Sequence, residues 1–323
     1  MTFIHDNTVK VASVRRVAVP EADVFDFEVE NDHNFFVRPP GAESGVLVHN
    51  CHYSPALETS RVMARLNSEY RIGMSGTIER KITEEIRITQ MLFGRVIYES
   101  QVDRMVPRVH VMYPAGKVKE PSKNSGKAGL VFFQSRLERD TARKESILRT
   151  AIKYARKGHL VLIPLSRVES ILEWTRWVNS ETERPGFALP FYGGLKKDKR
   201  AEVLQMARDY RCRILVGNIA LLSVGTNIPR ASCLFEVGVN SNPPKAEQRF
   251  SRILTPFKDK PEPIIVFCLD DLDIIRGCKR KEIYQCLIPR FKPNIDPQTK
   301  RELDAYLAAG KRKTGAIDLS EGL

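Results

Sequence analysis

Three side chains that can carry out acyl chemistry follow one another at His49, Asn50 and Cys51. The thiolate of Cys51 can attack a neighbouring acyl group, and the side-chain amide of Asn50 can attack its own backbone carbonyl. His49 titrates near neutral pH and can transfer protons at that carbonyl. Acting together, the three would break the peptide bond between Asn50 and Cys51. Without their context, the same triplet would also suit the end of a strand and a turn.

The residues before the triplet are patterned as β-strands that would hold it in place. Residues 9–14 and 24–30 alternate between apolar and polar side chains, as half-buried strands do. An apolar run then leads directly into His49. No part of residues 1–50 has helical periodicity, so we predict an all-β segment. About fifty residues of strand bury too little surface to fold alone, so this segment needs further chain.

Residues 24–51 resemble the C-terminal splicing block of inteins. Their parts are a V-F-D-F-E-V strand, a D-H-N-F-F segment and an apolar strand that ends in V-H-N before a Cys. The spacer at residues 38–44 is longer than the tight turn usual in the family. The functional positions of the family are occupied here by Asp26, His33, His49, Asn50 and Cys51.

The resemblance implies a horseshoe-like β fold, the Hint fold, and a role for each of these residues. Cys51 would take over an acyl group from an upstream nucleophile, while Asp26 steers protons and holds Cys51 in register. Asn50 would then close to a succinimide and free Cys51. His49 would polarise the carbonyl that is attacked, and His33 would assist as a second acid or base. Splicing of this kind needs no cofactor.

The intein resemblance covers only the C-terminal half of a splicing domain. Neither the first nucleophile nor the Thr-x-x-His motif of the family is visible in residues 1–50, and Met1 lies just ahead of the first predicted strand. We therefore expect a split intein whose N-terminal half is a separate partner chain. The alternative is a fragment of a contiguous intein that splices in cis.

Composition and charge divide the chain at the same point. Residues 1–50 hold four Lys or Arg against eight Asp or Glu, so the remainder carries more than the whole net charge of +13. A strongly basic second part predicts a nucleic-acid partner. No apolar run reaches membrane-spanning length, and no signal peptide is visible, so no membrane partner is expected. Six cysteines without CxxC spacing favour a reducing cytoplasm.

From Cys51 onward, strands alternate with helices. Strands are predicted at 107–113, 159–164, 191–195, 213–217, 232–237 and 264–267. Helices are predicted at 57–66, 136–157, 197–210 and 300–309, together with one that follows residue 164 and runs through 177, and a loop at 115–129. This alternation predicts a parallel sheet that is covered on both faces.

Two stretches near Cys51 resemble superfamily-two helicases. The third helicase motif is a strand that ends in Ser-Ala-Thr, and here residues 70–74 lead into Ser75, Gly76 and Thr77. A D-E-x-H box precedes that motif in the family. Cys51 and His52 would supply its last two letters, and the upstream protein segment would end in Asp-Glu. The splice point would then lie inside the box that binds Mg²⁺ and activates water.

Two further stretches resemble motifs of the second helicase lobe. Residues 222–229 match the fifth motif, with Gly225 and Asn227 at its key positions. Gln248, Arg249 and Arg252 match the sixth motif, Q-R-x-G-R, although a Ser replaces its Gly. The resemblance implies that ATP is bound here, with Arg252 the better candidate for an arginine finger at the γ-phosphate.

The expected fold is thus an all-β intein (Hint) fragment followed by an α/β RecA-like helicase lobe with a parallel sheet. The expected domains are residues 1–50, the rest of a first helicase lobe at 51–106, a second lobe at 107–288 and a basic tail at 289–323. No Walker A sequence occurs, so we expect ATP and Mg²⁺ to be used only after joining to an N-terminal helicase half. The resulting enzyme would resemble phage recombination helicases that act on nucleic acid, with DNA favoured. The competing reading is a non-catalytic nucleic-acid-binding protein with a β cassette that docks a partner.

Overall fold

The computed structural model describes residues 34–37, 46–50, 70–74, 83–94, 104–121, 126–223, 228–239 and 243–309. The chain divides into two compact units, residues 1–100 and residues 101–323. The strands predicted at 9–14 and 24–30 and the helix predicted at 57–66 lie outside the described residues. So do the candidate site residues Asp26, His33, Cys51, His52, Ser75, Gly76, Thr77, Gly225 and Asn227.

The described part of the first unit is a three-stranded sheet and one helix. Strand β1 (Asn34–Val37) pairs antiparallel with β2 (Val46–Asn50), and β2 pairs parallel with β3 (Tyr70–Met74). Helix α1 (Thr83–Phe93) follows. The apolar strand predicted before the triplet is present as β2. The parallel pairing joins strands from both sides of residue 50, and both strands belong to the unit of residues 1–100.

The second unit is built on a six-stranded parallel sheet in the order β4-β9-β8-β5-β7-β6. Every predicted strand of this unit is present, with bounds shifted by a few residues. The strands are β4 (Arg108–Met112), β5 (Leu160–Leu165), β6 (Ala188–Phe191), β7 (Ile214–Asn218), β8 (Ala231–Glu236) and β9 (Ile264–Cys268).

Two hydrophobic clusters cover the two faces of this sheet. Along β5, Leu160 and Leu162 belong to one cluster, whereas Val161 and Ile163 belong to the other. This alternation follows from the two-residue period of a strand, which sends successive side chains to opposite faces. The continuous apolar sequence of the central strands therefore has a direct structural cause, because both faces are buried.

The helices of the second unit agree with the predictions only in part. They are α2 (Gly126–Arg139), α3 (Thr141–Arg156), α4 (Val168–Glu181), α5 (Lys197–Arg208), α6 (Ile219–Ser223), α7 (Pro243–Ser251), α8 (Asp273–Arg280), a π-helix (Lys281–Leu287), α9 (Ile288–Phe291) and α10 (Pro297–Ala309). Among the described helices, none is long and apolar enough to cross a membrane.

Two of the helix predictions were wrong in detail. The single helix predicted over 136–157 is broken at Asp140, which is extended and whose carboxylate accepts a hydrogen bond from the Arg143 backbone N–H at 2.8 Å. An Asp at this position starts a new helix because it satisfies a donor that has no partner within the helix. The loop predicted over 115–129 ends early, because α2 already begins at Gly126.

Candidate functional site

The carboxyl ends of all six strands of the second unit lie at one edge of the sheet. In open α/β sheets, ligands bind in the crevice outside these ends. The segments that follow β5, β7, β8 and β9 therefore form the candidate site. They include Ser166 and Arg167 after β5, Asn218 at the end of β7, and Asp270 after β9.

The loop after β5 is held by a single buried carboxylate. Glu138, on α2, accepts hydrogen bonds from the Ser166 N–H at 2.8 Å, the Ser166 hydroxyl at 2.6 Å and the Arg167 N–H at 3.3 Å. Gln134, one turn earlier, donates to the same carboxylate at 2.9 Å. Asn218 reaches the Ser166 carbonyl from β7 at 3.4 Å. The loop is thus fixed from two sides, and the side chain of Arg167 is partly exposed at its surface.

Side chains from three helices form hydrogen bonds with the residues that directly follow β8. Arg143 donates to the Val237 carbonyl at 2.6 Å, and Lys279 donates to the Gly238 carbonyl at 3.1 Å. The Val239 N–H donates to Gln134 at 2.8 Å. A Cβ atom at Gly238 would lie 3.0 Å from the Gln134 amide, so any larger residue here would press on that amide. Residues 237–239, directly after β8, are therefore held in place by these contacts.

Arg143 joins this connection to the loop after β9. Its guanidinium is fully buried and forms a bidentate pair with Asp270, at 2.6 Å and 2.9 Å, and it also donates to the Leu137 carbonyl at 3.2 Å. Bidentate pairs of this kind fix the orientation of both partners. The ends of β8 and β9 are consequently tied to the junction between α2 and α3.

Arg249 lies in the interior of the unit. It is 2% exposed and pairs with Glu236 at 2.9 Å and 3.0 Å, and with Glu282 at 2.9 Å. Burial raises the pKa of the Glu282 carboxyl to about 7, against the opposing effect of Lys279. Its guanidinium is thus paired with two internal carboxylates, and its assignment to nucleotide binding stays a prediction.

Arg252 lies in the turn that follows α7. Its N–H donates to the Arg249 carbonyl at 3.1 Å, and its side chain is half-buried. Burial lowers the pKa of the Arg252 guanidinium below its ordinary value. Gln248, also half-buried, lies on α7 itself. The structure thus brings the three sixth-motif residues onto one helix and its following turn, whereas His49 and Asn50 lie on β2 of the other unit.

Several residues that shape this edge were not identified from the sequence. Glu138 and Gln134 are spaced four apart on α2, which places two polar side chains on a buried face. That spacing was a usable signal, because Phe133 and Leu137 beside them repeat at the same interval. No local sequence pattern indicates that Glu236 and Glu282 pair with Arg249, because Arg249 is distant from both in sequence. In the described part of the chain, no group of three or more His, Cys, Asp or Glu side chains is placed to hold a metal.

Comparisons with known proteins agree with this geometry. Residues 142–255 match the helicase conserved C-terminal domain family. Probable helicase D10 of Escherichia phage T5 is 24% identical over 225 residues, which are 68% of this chain and 48% of that protein. The chain therefore spans about half the length of this relative.

Solved structures show the same fold at low identity. Dbp5 of Saccharomyces cerevisiae, bound to RNA and ADP BeF3, aligns with a TM-score of 0.53 and 11% identity, over 81% of this chain and 63% of Dbp5. A fragment from Vibrio vulnificus YJ016, described as an HsdR subunit of a type I restriction enzyme, aligns with a TM-score of 0.55 and 17% identity, over 77% of this chain and 47% of the fragment. Residues 142–255 thus match the helicase conserved C-terminal domain family, and the solved structures share the parallel α/β fold of the second unit.

Proposed function

We propose that this chain supplies the second lobe of an ATP-dependent nucleic-acid helicase, and that protein splicing at Cys51 joins it to the rest of the first lobe. The observation that carries the helicase part is the placement of Arg252. It follows directly on a helix that Arg249 anchors in the core, and it lies within the matched residues 142–255.

In the proposed chemistry, Arg252 stabilises charge on the nucleotide. A half-buried, permanently charged guanidinium at a lobe edge can reach a phosphate held by a facing lobe and stabilise the charge that develops there. Such an arginine accelerates nucleotide hydrolysis by about 10³ to 10⁵. ATP supplies the phosphoryl group when it is bound. The Asp-Glu that ends the N-terminal half would hold Mg²⁺, so this chain contributes charge and position.

The nucleic-acid partner is supported by charge. Residues 1–50 are net acidic although the whole chain is +13, so the helicase part is strongly basic. Polyanion binding is the simplest use of such a surface. The exposed part of Arg167, on a loop whose backbone Glu138 fixes, is a candidate phosphate contact. DNA is the favoured substrate, on the resemblance to phage recombination helicases.

The splicing part is supported by the sequence block and by strand register. The hairpin of β1 and β2 delivers His49 and Asn50 at the end of a strand, and Asn50 lies opposite Met74 of the parallel β3. The proposed junction follows β2 and the third helicase motif follows β3, and these two paired strands end at the same edge of their sheet. A host strand that ends in Asp-Glu and takes the place of β2 would lie beside that motif.

Intact mass spectrometry tests splicing. The chain is measured alone and after mixing with a candidate N-terminal half that ends in Asp-Glu. Loss of residues 1–50 together with a larger ligated product supports splicing in trans. Stable association without bond exchange would contradict splicing and favour the docking cassette, and an upstream segment on the same polypeptide would reveal splicing in cis.

ATP turnover of the joined product tests the helicase assignment. Arg252→Ala should lower turnover by about 10³ while largely preserving nucleic-acid binding. Arg176→Ala is the matched control, because Arg176 is an exposed arginine on α4 that only donates to its own helix. Equal turnover in the two variants would remove Arg252 from the mechanism.

A further inference from the structure

Glu282 lies outside the matched residues 142–255. Its carboxylate contacts α7, the helix that carries the sixth-motif residues Gln248 and Arg249. The π-helix that carries Glu282 follows residues 142–255 in the chain. Glu282 accepts a hydrogen bond from Arg249 at 2.9 Å on one oxygen, and from Lys279 at 2.9 Å on the other. π-helical turns are uncommon and frequently occur at functional positions. A segment beyond the helicase domain thus contacts the helix that ends next to Arg252.

The buried cluster around Arg249 is balanced in charge. It holds two cations, Arg249 and Lys279, and two carboxylates, Glu236 and Glu282, each at most 2% exposed. Glu236 binds the guanidinium edge from the sheet, and Glu282 binds it from the helical side. A guanidinium that is held from two directions has little freedom to shift along or around the axis of α7. Each carboxylate therefore restrains the helix in a different direction.

The position of Arg252 depends on α7, which ends at the residue before it. Its N–H bonds to the Arg249 carbonyl, and the next turn residue, Ile253, bonds to the Phe250 carbonyl at 3.2 Å. The Phe250 ring packs edge-on against Phe267 and Phe291, with ring centres 6.2 Å apart in each case. The apolar contacts of Phe250 fix the depth of the turn in the core. The ion pairs of Arg249 fix the position of α7 along its own axis.

We propose that Glu282 is a positioning residue for Arg252 and acts through Arg249. This inference rests on the proposed function, in which Arg252 stabilises charge on the nucleotide. A displacement of about 1 Å at a reacting group can cost about 100-fold in rate. Without Glu282, the bidentate contact with Glu236 remains, but the Arg249 guanidinium is held from one side only. Substrate binding that does not involve Arg252 is left unchanged.

The test uses the joined helicase and steady-state ATP hydrolysis. Glu282→Gln should lower kcat by about 10-fold to 100-fold, with a change in KM for ATP below about threefold, because a contact made in the transition state is lost. Glu202→Gln is the matched control. Glu202 pairs with Lys199, three residues earlier, with 2.7 Å between the lysine nitrogen and a carboxylate oxygen, just as Glu282 pairs with Lys279. Unlike Glu282, it lies on the exposed surface of α5. The kcat of this variant should equal that of the unmodified enzyme.

A second variant separates positioning from folding. Lys279→Met with Glu282→Leu removes a whole ion pair and leaves Arg249 neutralised by Glu236, so the protein should stay folded. We expect the same loss of kcat in this variant. In an Arg252→Ala background, neither change should lower kcat further, since residues that act through one group are not additive. A folded variant with normal kcat, or full additivity with Arg252→Ala, would overturn the inference.

The outcomes also separate this inference from the proposed function. If Arg252→Ala leaves kcat unchanged, the proposed function fails, and the role of Glu282 fails with it. If Arg252→Ala lowers kcat while both Glu282 variants behave like Glu202→Gln, only the positioning role is refuted.

Discussion

Removing the guanidinium of Arg143 should destabilise the second unit far more than removing an exposed arginine nearby. Arg143→Met leaves Asp270 as a buried carboxylate without its bidentate partner, and it also frees the Val237 and Leu137 carbonyls. Breaking a buried ion pair from one side costs about 3–5 kcal/mol. For a unit of this size, each kcal/mol lowers Tm by about 2–4 °C. The expected fall in Tm is therefore about 6–20 °C.

Arg139→Met provides the matched control for this measurement. Arg139 lies one turn before Arg143 and pairs with Glu169 at 3.0 Å, but both side chains are more than half exposed. Exposed pairs contribute less than about 1 kcal/mol. Urea unfolding can be followed by tryptophan fluorescence, because the two tryptophans of the chain, at 174 and 177, both lie on α4 of the second unit.

The two variants give a direct comparison. A difference in unfolding free energy of less than about 1 kcal/mol between them would refute the assigned role of Arg143. The double variant Arg143→Met with Asp270→Leu should recover most of the loss, because no buried charge is left unpaired. A double variant as unstable as Arg143→Met would show that packing, and not charge, sets the cost.

Three further predictions concern other parts of the chain. Asn50→Ala should block release of residues 1–50 in the mass assay, and normal release would exclude succinimide formation at that residue. Gly238→Ala should cost about 1–3 kcal/mol in urea unfolding, because the new methyl group meets the buried amide of Gln134, and an unchanged midpoint would contradict that contact. Burial lowers the pKa of His110 and His159 below 6.5, so their contribution to stability is complete above that pH and is lost as pH falls through the lowered values. The two histidines should therefore lower the unfolding free energy between pH 8 and about pH 5, and His110→Gln with His159→Gln should raise the value at pH 5 relative to that at pH 8, compared with the unmodified protein.

The parallel sheet was predictable because its strands are buried on both faces. Residues such as Val161 and Ile163 on β5 stand in continuous apolar runs that only a covered sheet accommodates. The break at Asp140 could also have been predicted, since Asp before Thr is a common helix start. The predicted helix was extended across it because the apolar period continues on both sides.

The interior position of Arg249 could not be predicted from its motif. The sequence Q-R-F-S-R specifies two arginines but not which one faces solvent. That choice is made by Glu236, at the end of β8, and by Glu282, on the π-helix, and both are brought to Arg249 only by the tertiary fold. Glu282 belongs to a stretch whose helices were not predicted at all. Local patterns carry no information on such long-range charge pairs.

The pairing of β4 with β9 has a consequence for the order in which the second unit folds during synthesis. Residues 160–236, which form the four neighbouring strands β8-β5-β7-β6, emerge from the ribosome together, whereas the neighbour of the edge strand β4 in the sheet is β9, at residues 264–268. At ordinary translation rates, β4 therefore waits about 10–30 s for its partner strand. During that interval Val109, which is buried in the folded unit, lacks the neighbouring strand that covers β4. Slower translation before residue 264 would lengthen this interval, so synonymous codon changes there should lower the soluble yield without altering a single residue.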